Sequence, residues 1–300
     1  HEKELQQKAI AYINSDSNER GFLFAEGSHA LEPLMDEIAK TVMDPQTNVS
    51  IFERRKANDA ISATNTGAKE KIINEKELKL GAMGSGSDYS SFIQHAGVPS
   101  LNLGFSGEGS GGEYHSIYDS YYDFTTFKDP GFHYEVTLAQ TAVRAVLRMT
   151  EADVLPFDFT HLYNTINGYA DELINLLKES RESTEVENTI INSGGYKVGK
   201  DPTKKFISPE VKSDVPYLDF SPLQNALVDL KKSADSLKVV FGNKVKNNSA
   251  SVAFNQSLYQ AEQQLLSEKG LPRRGWYRHT IYAPGYYTGY GVKTMPGIRE

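Results

Sequence analysis

The sequence contains no cysteine, which excludes a disulfide framework, a cysteine nucleophile and a thiolate-bound metal. It also lacks a long apolar run, since no stretch reaches the roughly 20 consecutive residues that a membrane-spanning helix needs. An excess of positive charge is missing too, because the formal net charge is -7, and this argues against nucleic acid as the main partner. Any metal must therefore be bound by histidine, aspartate and glutamate side chains.

Several catalytic signatures are absent as well. The seven histidines include no pair with the HExxH spacing of a helical zinc site. Neither a GxSxG nucleophile elbow nor a Walker phosphate-binding loop occurs. With 39% hydrophobic and 24% charged residues, the 300-residue chain is typical of a globular protein of one large domain or two ordinary ones.

The first half of the chain alternates short apolar runs with helical patterns. In chain order, these runs and patterns predict a strand at 9–14, a helix at 33–42, a strand at 80–83, a helix at 88–95, a strand at 98–103 and a helix at 132–149. This order predicts an α/β sheet with helical cover. The polar segment 44–78 is predicted to be a surface excursion.

The pattern changes near Leu155-Pro156, after which no strand signal remains. Apolar stripes there predict three amphipathic helices, which would form a bundle, at 158–180, 221–241 and 250–269. Segment 192–215 is predicted to be a loop or linker. The aromatic segment 276–296 has little periodicity, and such segments normally pack on another surface or line a pocket.

Two places carry residues suited to metal or catalytic chemistry. Asp16 directly follows the first predicted strand, and an α/β sheet places its ligand groups at the carboxyl ends of strands. Its carboxylate either holds a metal or caps the backbone of its own turn. Tyr114 and His115 follow a glycine-rich loop, where an imidazole can bind zinc and a neighbouring hydroxyl can donate to an oxyanion. The alternative for His115 is a structural loop histidine.

An ordered set of motifs resembles the glutamate carboxypeptidase and transferrin-receptor family. The matching segments are AYINSDS (11–17), GSGSDYSSFIQHAGVPS (84–100), YHSIYDSYYDF (114–124), VLPFDF (154–159), YRHTIYAP (277–284) and MPGI (295–298). The likeness covers most of the chain apart from the polar stretches near 44–78 and 181–216. Because the motifs occur in the same order, the set is far more specific than any one of them.

The resemblance implies two domains. Residues 1–155 would be the C-terminal portion of a zinc-aminopeptidase-like α/β domain. Residues 156–300 would be a helical, transferrin-receptor-like dimerisation domain, whose aromatic segment at 272–298 returns to the active site. We expect a homodimer through the helical domain, no membrane segment in this chain, and an extracytoplasmic location, either periplasmic or secreted.

The resemblance also implies a carboxypeptidase or dipeptidase that uses two zinc ions, Zn2+, to hydrolyse peptide bonds near a chain terminus. Asp16 matches the ligand of one zinc ion and His115 the ligand of the other. Tyr114 matches a tyrosine that helps to stabilise the tetrahedral intermediate. A loop that faces the substrate in the family is matched by Ser85, Gly86 and Ser87. Tyr290 matches a tyrosine of the pocket that binds the C-terminal residue of the substrate.

The chain also departs from the family. The family's remaining metal ligands are a histidine, a bridging aspartate and a glutamate, and its general base is another glutamate. This chain contains no copy of these residues. We therefore expect an incomplete C-terminal fragment that is inactive and binds zinc poorly on its own. The alternative function is a catalytically inactive, transferrin-receptor-like module that binds a partner.

Substrate preference departs from the glutamate-selective members of the family. Where those members carry arginines, this chain has Asn102, Gly104 and the pair Ala25–Glu26. Gly289 stands where a lysine would grip the terminal carboxylate. The resemblance thus implies no preference for acidic dipeptides.

Overall fold

The computed structural model describes residues 1–109, 111–247 and 251–300, and for 243–247 it describes the backbone only. The chain divides into two compact units, one of His1–Tyr163 with Ser233–Glu300 and the other of Asn164–Lys232. This division concerns compactness, so the predicted domain boundary at residue 155 stays a prediction.

A mixed sheet lies at the centre of the first unit. Within the described residues it has three strands, β1 (Tyr12–Asn14), β2 (Gly21–Gly27) and β3 (Ser100–Gly107). The central strand β3 pairs in parallel with β1, where Tyr12 lies opposite Ser100. On its other side β3 pairs antiparallel with β2. The predicted α/β class is therefore confirmed at the level of a mixed helix and sheet structure.

One predicted strand is wrong, and one observed strand was not predicted. The run at 80–83 forms only an isolated bridge, between Gly81 and Glu26. The position beside β3 is taken by β2, in which Leu23 and Ala25 are buried while Phe24 is exposed. Because β2 carries apolar side chains on both faces, it lacks the apolar–polar alternation that indicates a half-buried strand.

The predicted surface excursion at 44–78 contains two helices. The helices before β3 are α1 (Glu2–Lys8), a 3-10 turn at His29–Leu31, α2 (Glu32–Thr41), α3 (Ile51–Ser62), α4 (Thr66–Asn74) and a π-helical turn at Ser90–Ala96. Ser50 and Glu53 form a reciprocal capping box at the start of α3, and Asn65 caps α4. Since α4 buries no residue, no apolar stripe marks it in the sequence.

After β3 the first unit continues with shorter elements and one long helix. These are α5 (Tyr121–Asp123), a π-helical turn at Phe124–Lys128 and α6 (His133–Thr150). The prediction of a helix at 132–149 is thereby confirmed. Its buried side chains include Leu138, Ala145 and Met149, which lie along one side of the helix.

The second unit consists mainly of parts of two long helices. They are α7 (Phe159–Asn192), most of which lies in this unit, and the first part of α9 (Ser221–Asn247); the short α8 (Gly195–Val198) lies between them. Both long helices exceed the predicted 158–180 and 221–241. Beyond the predicted apolar stripe, α7 continues into a stretch that contains three glutamates, a residue of high helix propensity.

The C-terminal segment belongs to the first unit and packs on its N-terminal part. It comprises α10 (Val252–Gln260), a 3-10 turn at Ala261–Leu265, the hairpin strands β4 (Tyr282–Pro284) and β5 (Val292–Thr294), and α11 (Pro296–Arg299). The predicted helix at 250–269 is thus shorter than expected. Tyr259 Oη donates to the backbone oxygen of Gln7 at 2.6 Å, and Arg278 N donates to that of Gln94 at 2.8 Å.

A buried carboxylate, Glu32, links several segments of the first unit. The Nδ1 atoms of His29 and His161 lie 3.1 and 3.2 Å from its two oxygens, and Lys79 Nζ lies 3.4 Å away. Burial on its own would raise the pKa of Glu32, but the hydrogen bonds from His161 and His29 hold that pKa at about 2. The hydrogen bond with Glu32 raises the pKa of His161, although burial opposes this.

A second buried carboxylate, Glu262, binds the C-terminal segment. Ile281 N donates to Nδ1 of His279 at 3.2 Å, so Nε2 carries the proton and donates to Glu262 at 3.1 Å. Tyr282 Oη donates to the same glutamate oxygen at 2.8 Å. Burial would raise the pKa of Glu262, but the hydrogen bonds with His279 and Tyr282 lower it. The ring of Tyr282 meets that of His29 edge-on at 5.7 Å, which joins the two clusters.

None of the described helices is both long and apolar enough to span a lipid bilayer.

We predict that Glu32→Gln destabilises the first unit by about 2 kcal/mol, since it weakens hydrogen bonds to a charged group. The pKa of Glu32 lies below its ordinary value of about 4.3, so the stability that it provides is lost as the pH falls from there toward 2. The stability that His161 provides is complete below its ordinary pKa of about 6.5 and is lost as the pH rises through the raised value.

Urea denaturation followed between about pH 2 and pH 9 measures this effect, because the Glu32 contribution is lost between about pH 4.3 and 2 and the His161 contribution is lost above about pH 6.5. The matched control is Glu37→Gln on the same helix, which removes only an exposed ion pair with Arg148 and should cost less than about 1 kcal/mol. Equal losses for both variants, or an unchanged pH profile in Glu32→Gln, would contradict the assignment.

Candidate functional site

The predicted ligand Asp16 lies just beyond the carboxyl end of β1. Its side chain is exposed, while the strand below it is held by a buried amide pair, in which Asn14 Nδ2 donates to Asn102 Oδ1 of β3 at 2.9 Å. Tyr12 Oη donates to Asn14 at 3.1 Å. The sheet therefore presents Asp16 at the strand edge where an α/β protein places ligand groups.

The predicted substrate-facing loop 84–87 reaches this aspartate. Ser87 Oγ donates a short hydrogen bond to Asp16 Oδ2, although the two residues are 71 positions apart in the chain. Tyr89, two residues further along the chain, is buried and its hydroxyl donates to the backbone oxygen of Ser85 at 3.3 Å. Burial raises the pKa of Tyr89, and the charges of Glu26 and Asp16 raise it further. Tyr89 is therefore a neutral hydrogen-bond donor here.

Tyr290, at the tip of the C-terminal hairpin, lies on the same loop. Its backbone oxygen accepts a hydrogen bond from Ser85 N at 2.9 Å. A β-carbon on Gly84 would lie 1.9 Å from that oxygen, and one on Gly86 would lie 2.7 Å from the tyrosine ring. Gly86 also has a φ of +99°, which a side chain would strain. The close approach of the hairpin therefore requires glycine at both positions.

A cavity of about 500 Å³ lies next to Asp16 and is also lined by Tyr114. Its remaining lining residues are Ser15, Ser17, Asn18, Glu19, Gly111, Glu113, Asp119, Phe124, Lys128, Glu135 and Leu138. Lys128 Nζ lies 3.2 Å from Glu19 and forms a second, shorter ion pair with Glu113. The only cation among these lining residues is thus already neutralised.

His115 follows Tyr114 in a left-handed backbone conformation, with a φ of 59°. Its ring stacks on that of Tyr114 with the centroids 3.8 Å apart, and both side chains are exposed. In the part of the chain that the structure describes, no three His, Asp or Glu side chains are grouped so that they could hold a metal ion. Asp16 and His115 stay predicted ligands, and the residues present do not by themselves fit a complete zinc site.

The positions where the family's arginines would fall are neighbours in the sheet. The register places Glu26 of β2 opposite Asn102 of β3, and Phe24 opposite Gly104. Burial raises the pKa of Glu26, although hydrogen bonding to Asn102 and the charge of Arg55 oppose this. The side chains here are thus an amide and a carboxyl, with no arginine at any of these positions.

The sequence did not single out four residues that line the cavity. Asn18 Nδ2 donates to Glu135 Oε1 at 3.0 Å, and Glu19 pairs with Lys128 across more than a hundred positions. Asn18 and Glu19 stand only two and three residues after Asp16, which is the one local signal that was available. Glu135 and Lys128 lie near the start of α6 and carry no recognisable motif.

We predict that Gly84→Ala destabilises the first unit by about 2 kcal/mol, because the added methyl group forces the hairpin away from the loop. The control is Gly67→Ala in α4, where the nearest atom lies 3.6 Å away and where alanine should stabilise the helix by up to about 1 kcal/mol. Chemical denaturation of both variants decides this. A neutral Gly84→Ala would show that the loop and the hairpin do not touch in solution.

The chain is similar to known proteins over nearly its whole length. Residues 218–300 match the family described as the transferrin receptor-like dimerisation domain. The chain is 30% identical over 297 residues to a protein of Arabidopsis thaliana named a probable glutamate carboxypeptidase, an overlap of 99% of this chain and 36% of that protein. It is 29% identical to a probable glutamate carboxypeptidase of Arthroderma benhamiae, with 99% and 35% covered.

A third relative bears a different name. The chain is 24% identical over 308 residues to an aminopeptidase of Mus musculus, with 98% of this chain and 35% of that protein covered. The chain thus spans about a third of the length of each of these relatives.

Proposed function

Because the chain belongs to the glutamate carboxypeptidase and transferrin-receptor family, we propose that its parent protein is a peptidase that hydrolyses peptide bonds near a chain terminus. The observation that carries the proposal is the convergence of distant segments. The loop 84–87 contacts Asp16 through Ser87 and the tip of the C-terminal hairpin through the backbone of Ser85, and Asp16 lies beside a cavity that Tyr114 also lines. The names of the relatives support the reaction class.

The proposal includes two zinc ions in the complete site. Asp16 and His115 amount to at most one ligand for each ion, whereas zinc takes about four. The described residues thus do not suffice for this pair of ions. In the proposal the other ligands and the general base come from the rest of the parent protein, because this chain spans about a third of its relatives.

The residues of this chain would bind and orient the substrate. In the proposal the hydroxyl group of Tyr114, which is exposed and lines the cavity, would donate a hydrogen bond to the oxyanion of the tetrahedral intermediate. The loop 84–87 and Tyr290 form one wall for the peptide. A carboxyl at Glu26 and an amide at Asn102 stand where glutamate-selective members of the family carry arginines, so the proposal includes no preference for acidic peptides.

The proposal also includes a homodimer. The match of residues 218–300 to a dimerisation domain supports it. The same match is compatible with an inactive binding module, the rival function. If the parent protein were an inactive binding module, it would show no peptidase activity with any metal. A peptidase assay therefore separates the two functions.

We predict that the 300-residue chain alone binds zinc weakly and has no peptidase activity, whereas the parent protein holds two zinc ions per subunit. Metal analysis after gel filtration measures the zinc content of the 300-residue chain and of the parent protein, and a peptidase assay measures their activity. Two tightly held zinc ions in the 300-residue chain would refute the proposed division of the ligands. A parent protein that binds zinc without cleaving any of a set of neutral, basic and acidic dipeptides would favour the binding module.

We further predict that His115→Ala in the parent protein removes one zinc ion and nearly all activity. Tyr114→Phe should lower kcat about 100-fold or more while both zinc ions remain, because only an oxyanion donor is lost. The matched control is His133→Ala, since His133 is an exposed histidine at the start of α6. Loss of zinc in Tyr114→Phe, or unchanged metal content in His115→Ala, would overturn these roles.

A further inference from the structure

The second unit carries a local reversal of charge. Residues 195–212, which we call the lysine-rich tip, contain five lysines and two acidic residues, a net charge of +3 in a chain of -7. The lysines are Lys197, Lys200, Lys204, Lys205 and Lys212. Of these, only Lys204 has a carboxylate at ion-pair distance among the described residues, and that carboxylate, Asp201, is 4.0 Å away. The other four lysines therefore have no carboxylate at ion-pair distance among the described residues.

The lysine-rich tip is fixed to the end of α7. Asn188 Nδ2 donates to the backbone oxygen of Lys212 at 2.9 Å, and Lys212 N donates to Asn188 Oδ1 at 2.8 Å. The rings of Tyr196 and Phe206 stack with their centroids 6.2 Å apart, and Tyr196 Oη donates to Glu187 at 2.5 Å. The tip is thus held to α7 near its first residues, through Tyr196, and at its last residue, Lys212.

Large aliphatic side chains are exposed among these lysines. Val198 is 85% exposed, Ile207 is 84% exposed, and Val211 is exposed as well. A single exposed apolar residue is ordinary on a protein surface. Here, however, three of them fall within one short tip, interleaved with cations. This combination of exposed aliphatic side chains and lysines is the composition with which peripheral proteins bind lipid headgroups and the acyl boundary.

We propose that the lysine-rich tip docks on the surface of an anionic phospholipid bilayer. The lysines complement the negative headgroups, and their aliphatic stems can lie along the interface while the ammonium groups stay hydrated. Ile207 and Val198 gain free energy only if their partner offers an apolar phase. A dissolved polyanion such as a nucleic acid offers phosphates but no such phase, so the exposed aliphatic residues favour the bilayer.

The negative remainder of the chain does not prevent this contact. Charges more than about 10 Å from the bilayer are largely screened at 0.1 M salt, whereas the lysines of a docked tip lie within that distance. The association should therefore weaken steeply as salt is added. The proposal concerns peripheral attachment and is independent of the proposed peptidase activity.

Co-sedimentation of the 300-residue chain with vesicles tests the proposal. One set of vesicles is phosphatidylcholine alone, and in the other phosphatidylglycerol replaces roughly a third of the lipid to supply the negative surface. We expect binding to the anionic vesicles only, with loss of binding between about 0.05 and 0.5 M salt. Lys204→Glu with Lys205→Glu should weaken binding at least about tenfold, because four units of charge change near the surface.

Two matched controls separate the tip from general charge and hydrophobicity. Lys69→Glu with Lys71→Glu makes the same charge change on the exposed face of α4 and should leave binding within about twofold. Val198→Ser with Ile207→Ser should weaken binding about tenfold, whereas Ile61→Ser, at a residue 78% exposed on α3, should not.

Three outcomes would overturn the proposal. The first is equal binding to neutral and anionic vesicles, and the second is equal loss in the α4 control. The third is full retention of binding in Val198→Ser with Ile207→Ser, which would mean that the lysines respond to negative charge alone and that the aliphatic side chains do not enter the bilayer. Circular dichroism of each variant verifies that the helices of the chain persist, so a loss of binding reports on the tip.

Discussion

Two buried carboxylates, Glu32 and Glu262, hold the first unit together across the full length of its sequence. Glu32 meets His161 over 129 positions, and Glu262 fixes His279 and Tyr282 of the C-terminal segment. An unpartnered charge in such a position would be strongly destabilising, so each carboxylate constrains the segments that supply its donors. The contact between the rings of His29 and Tyr282 makes the two clusters neighbours.

The candidate site depends on this arrangement. Tyr282 begins the strand β4, and the hairpin that follows brings Tyr290 to the loop 84–87. The loop in turn supplies the serine that binds Asp16. The position of the loop beside Asp16 therefore depends on how Tyr282 packs at the base of the hairpin. The segment that matches a dimerisation domain thus forms part of the wall of the proposed active site.

The sequence predicted those elements whose local signals agree with their tertiary environment. The helix α6 has an apolar stripe that is buried, and the turn at Ser90–Ala96 ends at Gly97, which adopts the left-handed conformation that terminates helices. The strand β2 was missed because its exposed face is also apolar. The helices α3 and α4 were missed because α4 buries nothing and α3 buries only its first turn.

The residues of the site were predictable only in part, for a related reason. Family motifs pointed to Asp16, Tyr114 and Tyr290 one by one, but neither the bond from Ser87 to Asp16 nor the pairing of Glu19 with Lys128 has a local pattern. These contacts are products of long-range packing.

The order in which the chain is synthesised has a further consequence for the site. At roughly 5–20 residues per second, Tyr290 leaves the ribosome roughly 10–40 seconds after Ser85, so the loop beside Asp16 waits that long for the tyrosine that completes it.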